Sequence, residues 1–161
     1  MIKNNKRLLK EKEENSVPSD SFYIQPLKGD LYKWHFTILG SKDTAYEGGL
    51  YHGYFVLPPD YPLSPPDIYY LNESGRYKIN TKICLTITSY HKEAWTPAWT
   101  LRTMMEAVNA YFVLEDNGIG SIKENESVRR EKAKKSRGYV CSHCGSLLDI
   151  EKKVLEARKK N

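Results

Sequence analysis

The stretch that decides the fold is Leu50-Tyr-His-Gly-Tyr-Phe-Val-Leu57, Pro58-Pro-Asp-Tyr-Pro62-Leu-Ser-Pro65-Pro66, Asp67-Ile-Tyr-Tyr-Leu71. Its first and last parts are short runs rich in aromatic and branched apolar residues, which favour β-strands. The middle part has five prolines in nine residues, so it forms neither a helix nor an interior strand. We therefore predict two strands joined by a rigid connection, in which the aromatic–proline step Tyr61-Pro62 is a candidate cis bond.

Two further strands are predicted before this stretch. Residues 22–27 form a short apolar run, and residues 31–39 alternate between apolar and polar side chains. The sequence Lys28-Gly-Asp30 between them favours a tight turn. Four short strands joined by short turns imply an antiparallel meander that helices cover on one face.

A helix is predicted at each end of this sheet. Residues 4–14 are rich in helix formers and contain neither Gly nor Pro, and we expect Leu8, Leu9 and Lys12 to form their buried stripe. Residues 101–114 carry apolar side chains at the spacing of an amphipathic helix. Thr100 is its natural N-cap.

The remaining chain predicts a more polar helix at about 126–136 and a third, weakly ordered one at 145–161. The fold class is therefore α+β. We expect a main domain over residues 1–137 and a basic tail with a Cys-x-x-Cys knuckle over residues 138–161.

The net charge of +5 on 161 residues is concentrated in two basic runs, at 123–137 and 151–160. Such runs suit either a nucleic-acid surface or a solvated helical face. No aromatic residues interleave the basic ones, which favours the solvated face. We therefore expect no nucleic-acid partner.

Cysteine usage and hydropathy indicate the compartment. Three cysteines, an odd number, do not suggest a disulfide framework and predict a reducing, cytosolic setting. No segment approaches the ~20 consecutive apolar residues of a membrane-spanning helix. The first residues lack the apolar stretch of a secretory signal.

Cys84 is the candidate nucleophile, because it is an isolated thiol in the body of the domain. The alternative is a buried cysteine that only packs.

The other two cysteines, Cys141 and Cys144, have the spacing of half a zinc site, but no second Cys/His pair lies nearby in the sequence. Another chain completing a zinc site and a small-loop disulfide are the open alternatives, and we expect no metal. His35 and His52 fall in strand patterns, where we expect packed or exposed bystanders.

Four blocks in this order resemble the ubiquitin-conjugating enzymes. They are Tyr46-x-Gly-Gly-x-Tyr-x-Gly53, Leu57-Pro-Pro-x-Tyr-Pro-x-x-Pro-Pro66, Ile83-Cys-Leu85 and Trp95-x-Pro-Ala-Trp99. The resemblance covers residues ~5 to 122 and implies the ubiquitin-conjugating fold.

Finer features resemble the branch of the family that is tail-anchored at the endoplasmic reticulum. They include Trp34-His-Phe, Gly75-Arg-Tyr, Cys84-Leu-x-Ile-x-x-x-His91 and Cys141-x-x-Cys-Gly-Ser146. That branch continues into a linker and a C-terminal membrane helix. We expect this chain to be either a truncated catalytic domain or an unanchored relative. The resemblance implies the cytosolic face of that membrane and a role in protein degradation there.

The resemblance implies that Cys84 accepts ubiquitin as a thioester from an activating enzyme and passes it to a substrate or ligase. It implies no metal or organic cofactor, since the upstream enzyme consumes the ATP. The His-Pro-Asn tripeptide that most members place before the cysteine is missing. Ser74, by matched position, and Asn80, by its amide, are candidate oxyanion donors, with a plain loop-forming role as the alternative. His91 is the candidate general base, with Glu93 as the second choice.

The resemblance also implies that the activating enzyme and a RING-type ligase bind three elements: the first helix, the tip of the Pro-rich loop and the loop at residues 96–98. On the Pro-rich loop and the loop after it, Leu63 and Pro97 would present a small apolar patch, unless Leu63 is buried under its own loop. The implied partner-binding residues are Lys6, Arg7, Lys10, Pro62, Leu63, Thr96, Pro97 and Ala98.

Two other function classes are compatible with the sequence. One is a non-catalytic module that uses the fold to bind ubiquitin or a ligase, and inactive variants of that kind lack the cysteine. The other is a cysteine hydrolase with Cys84 as nucleophile and His91 as base. Because this chain keeps Cys84 with both neighbours, a ubiquitin-conjugating enzyme is the leading prediction.

Overall fold

A computed structural model describes residues 5–85, 93–114 and 118–160 of the chain. Its element order is the α+β order predicted from the sequence, with an additional two-stranded hairpin, β5–β6, before the last helix. The elements are α1 (Asn5–Glu14), β1 (Phe22–Leu27), β2 (Asp30–Leu39), β3 (Leu50–Val56), β4 (Asp67–Tyr70), α2 (Leu101–Phe112), α3 (Glu126–Ser136), β5 (Val140–Cys141), β6 (Gly145–Ser146) and α4 (Leu147–Lys159).

Strands β1 to β4 form one antiparallel sheet in sequence order, which confirms the predicted meander. The turn between β1 and β2 needs a positive φ, which Gly29 supplies at 83°. The Tyr61–Pro62 peptide bond is cis, as its aromatic–proline step suggested. In the register of β2 and β3, Thr37 lies opposite His52.

The inner face of the sheet packs against α2, and this layer holds the main core. Successive side chains of a strand point to opposite faces, so Trp34, Phe36 and Ile38 of β2 enter the core together. Thr100 caps α2 as predicted: its hydroxyl accepts from the backbone N–H of Thr103 in a reciprocal capping box.

The buried stripe of α1 differs from the expected one. Leu8 is fully buried, but Leu9 is 54% exposed and Lys12 is exposed. Glu11 and Asn15 are buried instead, because the Glu11 carboxylate accepts hydrogen bonds from Tyr61 Oη at 2.7 Å and Leu101 N at 2.6 Å. A buried carboxylate that is bonded in this way replaces the apolar contact expected at this face.

The outer face of the sheet is covered by the C-terminal residues. Beyond Ser136 the chain forms the β5–β6 hairpin and then α4, whose apolar side packs on β1 to β3. This second cluster contains Leu39, Leu50, Leu147, Ile150 and Val154. The predicted third helix therefore runs over Leu147–Lys159 and has buried residues of its own. The domain boundary at residue 137 stays a prediction.

Among the described residues, no helix is both long enough and apolar enough to cross a membrane.

Candidate active site

Cys84 lies in a loop segment after β4. Its neighbours Ile83 and Leu85 are buried in the main core, whereas Cys84 itself is half-buried. The two neighbours anchor the segment in the core, and the Cys84 side chain between them keeps part of its surface accessible. Backbone bonds fix the segment on both sides: Ile83 N donates to Ile68 O at 3.0 Å, and Cys84 N donates to Ile119 O at 2.8 Å. The thiol is therefore held at a fixed place on the surface.

Gly120 allows the chain to approach the segment that carries the thiol. Its φ is 89°, and a β-carbon at this position would lie 2.6 Å from Ile83 Cδ1. Only glycine meets both demands without strain. Its carbonyl accepts from Lys78 N at 2.8 Å, so residues 118–122 form the outer support of the Cys84 segment.

Ser74 lies in a tight turn before this segment and is fully buried. Its hydroxyl oxygen accepts from the backbone N–H groups of Arg76 at 3.1 Å and Tyr77 at 3.2 Å. Two such bonds to following residues are typical of a turn-forming serine. The geometry fits the loop-forming alternative, and the oxyanion role of Ser74 stays a prediction.

Arg76 follows this turn and is a buried cation that is bonded to the end of α2. The guanidinium donates from Nε to Phe112 O at 3.2 Å and from an Nη to Tyr111 O at 3.0 Å. These carbonyls belong to the last turn of α2, where a positive charge is favoured. The Gly75-Arg-Tyr motif therefore joins the end of α2 to the Cys84 segment.

Asn80 is exposed and adopts a φ of 52°. Asn is one of the few residues that tolerates this left-handed conformation, and its backbone N–H donates to Tyr70 O at 2.8 Å. A turn role is thus sufficient to explain Asn80, and its oxyanion role stays a prediction. His91 lies outside the described residues, and Glu93 is exposed.

The Pro-rich loop and the Trp95–Trp99 segment form one surface. The indole of Trp95 donates to the carbonyl of Pro62 at 2.8 Å, which joins the two loops. Pro62 itself is buried, and Leu63 beside it is 71% exposed. The structure therefore contradicts a buried Leu63. Thr96, Pro97 and Ala98 are all exposed.

Of the three basic residues predicted on α1, Lys6 and Lys10 are exposed, whereas Arg7 is half-buried. Arg7 donates to Pro97 O at 3.1 Å and to Trp99 O at 2.6 Å, and it pairs with Glu11 at 3.0 Å. It therefore positions the loop of Pro97 against α1. The side chains of Lys6 and Lys10 are accessible from solvent, whereas Arg7 has this internal role.

The outer face of the sheet holds a cluster that the sequence interpretation missed. His35, His52, Cys141 and Cys144 each offer a ligand atom, and these four atoms all lie within 4.8 Å of one another. His35, His52 and Cys141 are buried, Cys144 is half-buried, and the cysteines are reduced. The two strand histidines are packed, as one of the two expected alternatives had it, and their ring nitrogens lie close to the thiols of Cys141 and Cys144.

Burial shifts the protonation of this cluster towards its neutral forms. It lowers the pKa of His35 to about 4, with the charges of His143 and Lys33 as smaller causes. It lowers the pKa of His52 to about 3, and His35 adds to that shift. Burial raises the pKa of the Cys144 thiol to about 12, and Cys141 adds to the shift. Both imidazoles are therefore neutral near pH 7.

A four-stranded meander backed by helices, with a rigid proline loop and a fixed, half-exposed cysteine, is the architecture of a ubiquitin-conjugating domain. The chain belongs to the ubiquitin-conjugating enzyme family, whose model, "Ubiquitin-conjugating enzyme", matches residues 7–136.

Named relatives place it within that family. It is 43% identical over 144 residues to "Ubiquitin-conjugating enzyme E2 J1" of Homo sapiens, covering 89% of this chain and 45% of the relative. It is 37% identical over 139 residues to "Ubiquitin-conjugating enzyme E2 6" of Kluyveromyces lactis, covering 86% and 55%. The chain thus spans about half the length of these relatives, and it falls in their branch of the family.

A solved structure agrees with the fold. A putative ubiquitin conjugating enzyme from Plasmodium yoelii superposes with a TM-score of 0.62 at 27% identity, covering 72% of this chain and 76% of that one. The predicted fold class is therefore confirmed.

Proposed function

We propose that this chain is an active ubiquitin carrier that accepts ubiquitin on Cys84 from an activating enzyme and transfers it to a substrate or ligase. The observation that carries the proposal is the placement of the thiol. Cys84 is half-exposed, and its two buried neighbours and a backbone bond to Ile119 fix its position. A binding module would need no such thiol.

The transfer exchanges one thioester for another. The Cys84 thiolate attacks the carbonyl carbon of the ubiquitin thioester on the activating enzyme, and the cysteine of that enzyme leaves as a thiolate, which takes up a proton. The exchange needs no further activation, because a thiolate is intrinsically a strong nucleophile and the donor is already a thioester. In the second step an amine, a hydroxyl or a ligase thiol attacks the Cys84 thioester and releases the thiol.

The decisive experiment is charging with activating enzyme, ubiquitin and ATP. Wild type should form an adduct heavier by one ubiquitin that thiols cleave. Cys84→Ser should form an oxyester that resists thiols but yields to hydroxylamine. Normal thioester formation by Cys84→Ala would contradict the proposal. A hydrolase would instead cleave conjugates without being charged, and an inactive binding module would do neither.

We further propose a RING-type ligase as a partner at an apolar patch of Leu63 and Pro97, flanked by Lys6 and Lys10. Three facts support it: Leu63 is 71% exposed, the Trp95–Pro62 bond holds the two loops together, and the exposed lysines would steer an acidic partner. Such a small patch suits the weak, transient contacts of a carrier that moves between partners.

Leu63→Ala should leave charging within about twofold and slow ligase-stimulated discharge by ~10-fold, as expected when an anchor residue worth about 1–2 kcal/mol is lost. Leu148→Ala is the matched control, since Leu148 is also an exposed leucine, at 44%, but lies on α4. Equal slowing in both variants would exclude the patch, as would unfolding of Leu63→Ala.

We infer an association of the full-length protein with the endoplasmic reticulum, in protein degradation at its cytosolic face. The support is the resemblance to the tail-anchored branch at the Trp34, Gly75 and Cys84 motifs. In cell fractionation the full-length protein should sediment with that membrane, and residues 1–161 alone should remain in the supernatant. Sedimentation of residues 1–161 alone would show that a tail anchor is not what retains the protein.

A further inference from the structure

We propose that His35, His52, Cys141 and Cys144 bind a structural zinc ion, which fastens the C-terminal hairpin and α4 to the outer face of the sheet. The four residues come from two neighbouring strands and from a hairpin that lies far from them in sequence. His35 and His52 lie on β2 and β3, and the two cysteines lie at the β5–β6 hairpin.

The separations of the ligand atoms are close to those of a tetrahedral site. With Zn–N bonds of about 2.05 Å and Zn–S bonds of about 2.3 Å, two nitrogens should lie ~3.3 Å apart and a nitrogen and a sulfur ~3.6 Å apart. His35 Nδ1 lies 3.2 Å from His52 Nε2, and Cys141 Sγ lies 3.6 Å from His35 Nδ1. All four atoms fall within 4.8 Å of one another, so only a small closure completes the tetrahedron.

The donor set and its coordination number select the metal and its role. Two thiolates and two imidazoles in tetrahedral geometry are typical of zinc. Four protein ligands leave no open position for water or substrate, which is the mark of a structural rather than a catalytic site.

The surroundings orient the ligands. Thr37 Oγ1 lies 2.8 Å from His52 Nδ1, so a proton on that nitrogen leaves Nε2 facing the cluster. Asn72 holds the strand that carries His52, since its Oδ1 accepts from His52 N at 2.8 Å. At the hairpin, Gly145 adopts a φ of 84° directly after Cys144, which closes the short turn between the two cysteines.

Hydrogen bonds alone leave the cluster incompletely satisfied. Among the residues that the structure describes, His35 Nε2 is buried and has no hydrogen-bond partner. A metal ion at the cluster would not satisfy that nitrogen, because His35 would bind through Nδ1, which lies 3.2 Å from His52 Nε2 and 3.6 Å from Cys141 Sγ. Its bonds would instead compensate for the burial of the ligand atoms that face the cluster.

The first test is metal content. The intact chain, purified under reducing conditions and desalted, should contain about one zinc ion per chain by mass spectrometry of elements. With cobalt in place of zinc, it should show the intense visible bands of a tetrahedral site and a thiolate charge-transfer band. A wild type that retains no zinc and gives no such cobalt spectrum would overturn the proposal, as would a Cys141–Cys144 disulfide under the same reducing conditions.

Variants assign the ligands. Cys144→Ser should lose stoichiometric zinc and the charge-transfer intensity of one thiolate. His143→Ala is the matched control from the same turn, since His143 is exposed and outside the four-residue cluster. It should keep the zinc. Cys84→Ser should keep zinc while losing thioester formation, so failure of the proposed activity and failure of the metal site are distinguishable. Loss of zinc in His143→Ala with retention in Cys144→Ser would overturn the ligand assignment.

The positioning role of Thr37 has its own readout. Thr37→Val removes the hydroxyl near His52 Nδ1 and should weaken zinc binding by about 10–100-fold in a competition titration, as loss of an outer-shell partner does. Thr37→Ser should restore the affinity. Unchanged affinity in Thr37→Val would exclude this role.

The structural role predicts that loss of the metal ion loosens the attachment of α4 to the sheet. Trypsin can cut α4 at Lys152 or Lys153 only when the helix detaches. At free zinc of 100 times the dissociation constant, that cleavage should be about 100-fold slower than in the metal-free chain. Equal cleavage rates with and without zinc would overturn the fastening role.

Discussion

Glu11 shows how one buried carboxylate holds three parts of the molecule together. It is 1% exposed, yet it accepts from Tyr61 in the proline loop and from the first backbone N–H of α2, and it pairs with Arg7. An anion at the N-terminus of α2 also interacts favourably with the helix dipole. The loop that presents Leu63 is thus fixed through a residue of α1.

Glu11→Ala should therefore lower the free energy of unfolding by about 2–4 kcal/mol, because Tyr61 Oη and Leu101 N lose a buried acceptor and Arg7 loses a carboxylate. Urea unfolding measures it. Glu14→Ala is the control on the same helix: Glu14 lies 4.0 Å from Lys10 in an exposed pair, and its loss should change stability by no more than about 0.5 kcal/mol. Similar losses in the two variants would contradict this role of Glu11.

His91 is expected to act as general base for the acceptor. His91→Ala should charge at Cys84 normally but discharge more slowly, by about 10²-fold, because acceptor positioning remains. The wild-type discharge rate should fall as the pH drops through ~6.5, where an ordinary imidazole gains its proton and can no longer accept one. Single-turnover discharge should show this inflection only in wild type. It should be measured from pH 5.5 to 8.5, a range of about three pH units that includes that pKa. An unchanged profile in His91→Ala would transfer the role to Glu93.

At the scale of elements, the segment that carries Cys84 depends on a close approach by Gly120. Gly120→Ala should lower the free energy of unfolding by about 2 kcal/mol, since alanine is strained at a φ of 89° and its β-carbon would press on Ile83. Charging of Cys84 should slow as well.

Gly138→Ala is the matched control, because the nearest atom to a β-carbon there is Lys135 O at an ordinary 3.6 Å. It should be neutral within about 0.5 kcal/mol. Equal charging rates for the two glycine variants, measured beside their urea unfolding curves, would show that the support from residues 118–122 does not matter for the thiol.

Elements whose signals are local could be predicted from the sequence. The period of two in β2, the prolines between β3 and β4, and the Thr100 cap of α2 each depend on neighbours a few residues away. In the stripe of α1, Leu8 was predicted correctly, whereas Leu9 and Lys12 were wrong, because the partners that bury Glu11 instead lie 50 and 90 residues further along the chain. Local periodicity indicates which face is buried but not which distant group satisfies a polar residue there.

The histidine–cysteine cluster was missed for the same reason. Cys141 and His35 are 106 residues apart, and no local pattern relates them. One signal was available: the antiparallel register of β2 and β3 pairs Thr37 with His52 and places His35 on the same face. A Cys-x-x-Cys unit needs two more ligands, and two histidines on one sheet face are a reasonable place to seek them.

At the scale of the whole molecule, two arginines of the basic run at 123–137 make internal contacts. Arg129 is buried and donates to Gly75 O at 3.0 Å. Arg137 forms a bidentate pair with Glu151 of α4, with both distances at 2.8 Å. Basic residues that join α3 and its C-cap to the turn at Gly75 and to α4 are less available to a polyanion. This supports the interpretation of the basic run as a structural and solvated face.

The described residues form two apolar clusters on opposite faces of one sheet, and the inner one contains the neighbours of Cys84. Leu147→Ala removes a fully buried side chain of the outer cluster and should lower the free energy of unfolding by about 2–4 kcal/mol. Leu148→Ala, at the next position but 44% exposed, should cost no more than about 1 kcal/mol.

Both leucine variants should charge Cys84 at the wild-type rate under conditions where they are folded, because the outer cluster supports α4 and not the thiol. Thermal unfolding and a charging time course on the same samples measure the two effects separately. A Leu147→Ala protein that is folded but charges slowly would show that the two faces of the sheet are coupled, so that the C-terminal helix would influence the thiol through the sheet itself.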